Sequence, residues 1–292
     1  MALTGGDVVA KVLQQQGVSL VFTLCGGHIS PILVGCDQIG LRVVDVRSEA
    51  SAVFAAEATA RITGIPGVAI VTAGPGVTNT ITAVKNAQLA QVPVVLIGGA
   101  SATVLKGRGS LQDIDQVTLL KPIVKMAHSI RRNCDIVPVL EDAFTVARSG
   151  VPGPVFIECP IDLLYDEALV REWYQAGAQQ GRPIRIKQKI TQLYLKYHVD
   201  KMFACDLDTL DSEPHTADIA VMAPVNTAKA ARLLDRAQTP VMIIGSQAML
   251  HPDQTALLAE AVTSLGIPVY LAGMARGLMG PDHPLQMRHR RR

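Results

Sequence analysis

Four short stretches combine polar side chains with glycine in a way that could serve chemistry. Glu49 stands after Arg47-Ser48, between an extended apolar run and a helical pattern. A carboxylate held there can accept or carry a proton. Its bland alternative is an acid that the helix dipole favours in a first turn. Gly74-Pro75-Gly76 also precedes a helical pattern, with Asn79 in its first turn. Glycines ahead of a helix expose backbone N–H groups that can hold a phosphate. Neither G-x-G-x-x-G nor G-K-[ST] is present, however, so a phosphate loop has weak support. Asn79 reads equally well as a pocket residue or as an ordinary polar residue. Cys25-Gly26-Gly27-His28 places in a turn a histidine that can act as acid, base or donor near neutral pH, with an exposed loop histidine as the plain alternative. Cys25 reads as a small buried hydrophobe. Gln112, in Leu111-Gln112-Asp113, either faces a ligand or caps a helix.

The elements that must hold these residues follow from hydrophobic periodicity. Up to residue 165, short β-rich runs alternate with longer helical patterns, as in β-α units that feed a parallel sheet. The expected order is helix Asp7–Gln16, strand Val18–Leu24, a helix opening near Pro31, strand Leu41–Val46 and helix Glu49–Thr63. Strand Val68–Thr72, one helix from Gly76 to about Leu89, strand Pro93–Ile97, helix Val139–Arg148 and strand Pro154–Glu158 complete it. Residues 166–224 read as an interdomain connection. It contains an amphipathic piece, Ile190 to Phe203, whose Ile190, Leu193, Tyr194 and Tyr197 suit packing against protein or, less well, a membrane surface. Residues 225–292 read as two helices and two strands of a second, incomplete α/β unit. The fold class expected is therefore α/β, a three-layer parallel-sheet domain followed by part of a Rossmann-like one.

The totals bound the function. With 292 residues, 49% of them hydrophobic, the chain can form about two cores. The formal net charge is +2, and the last five residues hold four arginines, so no basic face for nucleic acid is expected. Five widely spaced cysteines without a C-x-x-C pair argue against disulfides or a zinc site and suit a reducing compartment. No apolar run approaches the roughly 20 residues of a membrane helix, and no targeting leader is evident.

Arg47-Ser48-Glu49, Gly64, Pro66-Gly67 and Thr72-Ala73-Gly74-Pro75-Gly76-Val77-Thr78-Asn79 form the sharpest constellation. Leu24-Cys25-Gly26-Gly27 lies upstream of it, and Leu111-Gln112-Asp113 and Val151-Pro152-Gly153-Pro154-Val155-Phe156-Ile157-Glu158-Cys159-Pro160 lie downstream. Together these residues resemble the acetolactate synthase family of thiamine-diphosphate enzymes. His28, Gly245-Ser246-Gln247 and Gly273-Met274-Ala275-Arg276-Gly277 bring the likeness nearest to its 2-hydroxyacyl-CoA lyase branch.

The resemblance implies that residues 1–165 are a pyrimidine-binding domain for thiamine diphosphate, used with Mg²⁺. Glu49 is then the acid that favours the imino tautomer of the cofactor's aminopyrimidine. Gly27, Gly74, Pro75 and Asn79 line the ring, and Gln112 and His28 face the substrate. The reaction implied is cleavage of 2-hydroxyacyl-CoA to formyl-CoA and an aldehyde, or acetolactate-type ligation of a 2-oxo acid. A homodimer is implied, with the cofactor between subunits, as is an endoplasmic reticulum membrane location, with the cytoplasm as the alternative.

Three departures qualify the likeness. Ser48 stands where relatives often carry a histidine, and Val151 stands where flavin-binding relatives carry arginine, so FAD is not expected. The Gly-Asp-Gly segment that anchors Mg²⁺ and diphosphate in the family is not found. The chain is therefore expected to be a truncated form, inactive alone or paired with a full-length subunit.

Overall fold

The computed structural model describes residues 3–176, 186–209 and 224–288. These form two compact units, one essentially of the described residues up to 209 and the other of those from 224.

The first unit contains helices α1 (Gly5–Gln15), α2 (Ser30–Gln38), α3 (Glu49–Thr63), α4 (Pro75–Thr78), α5 (Ile81–Ala90), α6 (Gln116–Leu120), α7 (Ile136–Arg148), α8 (Glu167–Ala176) and α9 (Ile186–Met202). Its strands are β1 (Leu20–Leu24), β2 (Arg42–Asp45), β3 (Gly67–Val71), β4 (Val94–Ala100), β5 (Ala127–Ser129) and β6 (Val155–Pro160). They make one parallel sheet in the order β2-β1-β3-β4-β6-β5. All residues of β3, β4 and β6 are buried, as expected for a sheet covered on both faces. One face packs under Val9, Leu13, Ile32, Leu140 and Phe144, the other under Ala52, Val53, Val84 and Leu120.

Local chemistry sets the ends of these elements. At α1 the Thr4 side chain accepts from the Asp7 N–H while Asp7 accepts from Thr4, a reciprocal capping box. Proline in the first turn of α2 and α4 removes an N–H that has no helical partner there. The parallel arrangement then brings every strand's C-terminal loop to one edge, including Cys25–His28, Thr72–Asn79 and Ser101–Asp115.

The α/β architecture agrees with the sequence pattern, but several details differ. The single helix expected after Gly74 is two, α4 and α5. The short elements β5 and α6 carry too few residues to show a period. The stretch expected as a connection contains α8 and α9, cross-linked by Arg171, which pairs with Glu167 at 2.6 Å and Asp200 at 2.7 Å. Its inward residues are Val170, Val199 and Met202. The stripe Ile190, Leu193, Tyr194 and Tyr197 is 53–71% exposed, with Tyr194 stacked on His198 of the same helix.

The expectation of unpaired cysteines is also corrected, because Cys134 and Cys205 form a disulfide. They lie 71 residues apart in sequence, so no local motif announces the pair. With it goes the cysteine argument for a reducing compartment.

The second unit comprises α10 (Pro224–Arg236), β7 (Met242–Ile244), α11 (Thr255–Leu265), β8 (Val269–Leu271) and β9 (Gln286–Met287). Its three strands are parallel in the order β7-β8-β9, one more strand than expected. The core is small, formed by Ile244, Val262, Val269, Ala275, Leu278 and Met279. The two glycine-containing motifs meet where the Met274 N–H donates to Ser246 Oγ at 3.1 Å. No helix among the described residues is long and apolar enough to cross a membrane.

Candidate active site

Glu49 is the first residue of α3, directly after the β2 loop, and only 7% exposed. Burying an unpaired carboxylate is costly, so its partners are informative. Asn79 Nδ2 donates to Oε2 at 3.0 Å. The other oxygen, Oε1, would lie 3.7 Å from a Cβ added at Gly76. One oxygen is thus fixed by the chain, and the other faces the place where a glycine leaves room.

The Thr72–Asn79 turn is built tightly around that space. A Cβ at Gly76 would stand 2.8 Å from Thr72 Cγ2, and one at Gly26 only 2.4 Å from Thr72 Cβ. Gly74 has φ +62°, and a Cβ there would meet the backbone oxygen of Gln112 at 2.8 Å. Gln112 itself has φ +62°, a strained conformation for a residue with a side chain. His28 is half-buried and shares a side-chain hydrogen bond with Gln112. Burial lowers the His28 pKa, and that hydrogen bond opposes the shift.

Sequence reasoning did not single out Gln116, which locks this arrangement from below. It is 1% exposed. Its Oε1 accepts from the Gly74 N–H at 2.8 Å, while Nε2 donates to the Gly99 carbonyl at 3.0 Å and to Glu158 Oε1 at 2.9 Å. Glu158 is fully buried and takes Ser129 Oγ and Lys106 Nζ on its second oxygen. The signal available beforehand was Glu158 itself, an acid inside an otherwise apolar strand.

The predicted residues therefore fall into contact pairs: Glu49 with Asn79 and Gly76, Gly74 with Gln112, and Gln112 with His28. Two stand apart. A Cβ at Gly27 would meet nothing within 4 Å, and Pro75 is an exposed residue opening α4. The tight glycine of that first turn is Gly26. Gln112 does not cap α6, a role taken by Asp115, which accepts from the Thr118 N–H at 3.1 Å. Cys25 is exposed, contrary to the buried hydrophobe expected.

Comparison with known proteins identifies the family. Residues 3–119 match the model of the thiamine pyrophosphate enzyme N-terminal TPP binding domain, and residues 227–290 match that of the thiamine pyrophosphate enzyme central domain. The chain belongs to the thiamine pyrophosphate enzyme family. It is 50% identical over 288 residues to 2-hydroxyacyl-CoA lyase 2 of Danio rerio, covering 99% of this chain and 46% of that protein. Against the Homo sapiens 2-hydroxyacyl-CoA lyase 2 it is 48% identical, covering 98% of this chain and 45% of that protein. The acetolactate synthase large subunit IlvG of Mycobacterium tuberculosis is 33% identical, with coverage of 96% and 44%. The chain spans less than half the length of each of these relatives.

The residues present fit one part of such a cofactor. A buried acid with one oxygen turned toward a glycine-lined space suits a planar heterocycle that offers a hydrogen bond. Among the described residues no cluster of three or more His, Cys, Asp or Glu side chains is placed to hold a metal ion. Val151, 59% exposed, gives no cation for a flavin diphosphate.

Proposed function

We propose that residues 1–165 form the pyrimidine-binding half of a thiamine-diphosphate site and residues 225–292 part of the central domain, with residues 166–224 between them. The protein they serve breaks or joins a carbon–carbon bond next to a carbonyl. The preferred reaction is cleavage of 2-hydroxyacyl-CoA to formyl-CoA and an aldehyde, with acetolactate-type ligation of a 2-oxo acid as the nearer alternative.

The observation that carries this reading is the Glu49 carboxylate, buried, with Oε2 held by Asn79 and Oε1 beside Gly76. When bound, thiamine diphosphate supplies a carbon nucleophile and electron sink. The chain's task is to hold a proton between Glu49 Oε1 and the aminopyrimidine. Asn79 fixes the rotamer of Glu49, and the Gly74–Gly76 turn lets the ring approach closely. His28 and Gln112 share a hydrogen bond that positions a neutral imidazole to exchange a proton with substrate.

We assign the diphosphate and Mg²⁺ to residues of a longer protein that contains this stretch, on the facing subunit of its homodimer, or to a full-length partner of this chain. The preference for an acyl-CoA substrate rests on the roughly half identity to the lyase relatives. The likeness also suggests residence at the endoplasmic reticulum membrane, testable by fractionation.

The test of the reaction is Glu49→Gln in a complete protein containing these residues, assayed with 2-hydroxyacyl-CoA and, separately, with pyruvate. Turnover should fall at least a thousandfold with cofactor binding retained. Unchanged turnover removes Glu49 from the mechanism, and activity on pyruvate alone favours the ligase alternative.

A further inference from the structure

A cavity of about 610 Å³ opens at the C-terminal ends of β4, β5 and β6, where α9 crosses the sheet edge. Crevices at this edge of a parallel sheet are the usual ligand positions of α/β proteins, and the volume is that of a small-ligand site. Lys106, Arg131, Arg132, Lys201 and His198 line it, and Asp135 is the sole lining acid among the described residues.

The charges balance unevenly. Arg132 is paired with Asp135 at 2.7 Å, and Lys106 binds the buried Glu158. Behind the wall Asp162 is fully buried, held by the Thr103 N–H at 2.8 Å, Thr103 Oγ1 at 2.6 Å and Tyr174 OH at 2.6 Å. Four cations against Asp135, Glu158 and Asp162 leave one positive charge in excess, or two when His198 is protonated. All three acids are engaged by donors, whereas no salt bridge to Arg131 or Lys201 is present among the described residues. Both are exposed at the cavity.

The remaining lining adds little that is free: Ile130, Pro160 and Met202 are buried core side chains, and the Thr103 and Ser129 hydroxyls already donate to Asp162 and Glu158. Thr103 Oγ1 also contacts His198 Nε2 at 2.7 Å, which fixes that ring.

We propose that this cavity binds a phosphorylated small molecule, with Arg131 and Lys201 on its phosphates. Arginine suits phosphate because its planar fork matches two oxygens at once. The phosphate has two sources to be told apart, the 3′-phosphoadenosine end of a CoA thioester or a free nucleotide. The first rests on the acyl-CoA reading above; phosphate binding itself does not, since Glu49 takes no part in it.

Calorimetric titration of the whole chain with CoA, 3′,5′-ADP and ADP, in buffer of low ionic strength, tests it. Binding should weaken at least tenfold in the Arg131→Glu, Lys201→Glu double variant and with added salt. The Lys11→Glu variant, a charge reversal on α1, and Glu49→Gln should bind as the parent does. Should the double reversal fail to fold, judged by circular dichroism, Arg131→Gln, Lys201→Gln replaces it with the same expected direction. Preference for CoA and 3′,5′-ADP over ADP identifies the thioester as the source, and equal binding of ADP identifies a free nucleotide. Absence of binding by all three ligands, or equal affinity in parent and cavity variants, overturns the proposal.

Discussion

Gln116 is the residue whose removal should most disturb the site without touching any proposed catalytic group. Gln116→Met keeps the length and removes both polar atoms. Three groups lose their partner: the Gly74 N–H, the Gly99 carbonyl and one oxygen of the buried Glu158. Each unmet buried group costs roughly 1–3 kcal/mol, the charged one most. Because all three share one site, the costs do not simply add, and about 3–6 kcal/mol is expected. At a urea slope near 3 kcal/mol/M the midpoint falls by about 1–2 M. Trp173, the single tryptophan, lies on α8 beside Tyr165 at 5.0 Å, so its fluorescence reports unfolding of the first unit. A midpoint change under about 0.3 M would refute the reasoning, and would mean that the Gly74 turn is held by something other than this amide.

Three further outcomes follow from the same geometry. Gly26→Ala should destabilise the first unit by roughly 1–3 kcal/mol, because its Cβ would meet Thr72 at 2.4 Å, while Gly27→Ala should change thermal stability little. Burial lowers the pKa of His28 and His198 below 6.5, so under mildly acidic conditions the unfolded chain binds protons that the folded one does not. Stability should therefore be full above pH 6.5 and decline below it, and His28→Gln should flatten that decline in urea titrations at stepped pH. Iodoacetamide should label native Cys25 alone, because burial pushes the Cys36 and Cys159 thiols to about 12 and Cys134 and Cys205 are joined. Mass spectrometry that finds Cys134 alkylated without reductant would contradict the disulfide.

Much of the fold was legible because buried parallel strands leave continuous apolar runs. The runs Pro93–Ile97 and Pro154–Glu158 mark β4 and β6, which extend on to Ala100 and Pro160, and the helix α3 begins and ends where its pattern does. The elements missed include three with too few residues for a period, β5, β9 and the helix α6, and also the ten-residue α8, which lay in the stretch read as a connection. The exposed stripe of α9 shows a different limit. Periodicity locates an apolar face but does not say what covers it, and here the inward side carries Val199 and Met202 instead. At the site, residue types suggested Glu49, Asn79 and the glycines, yet burial alone would not have chosen among acids. Glu57 lies on the same helix, is also buried and is likewise met by an asparagine, Asn86, at 2.8 Å. What sets Glu49 apart is Oε1 facing Gly76, a relation across 27 residues that only the folded chain shows. The Gln116–Glu158 support was equally hidden, being a hydrogen bond between residues 42 apart.

The central claim is that Glu49 holds the proton that activates the cofactor, and it is tested most directly by hydrogen–deuterium exchange at the thiazolium C2 position of bound thiamine diphosphate, followed by quenched-flow NMR. The comparison is between a complete protein containing these residues and its Glu49→Gln variant. The account predicts exchange slowed at least a hundredfold by the substitution, with the cofactor still bound. Equal exchange rates in the two proteins would contradict it.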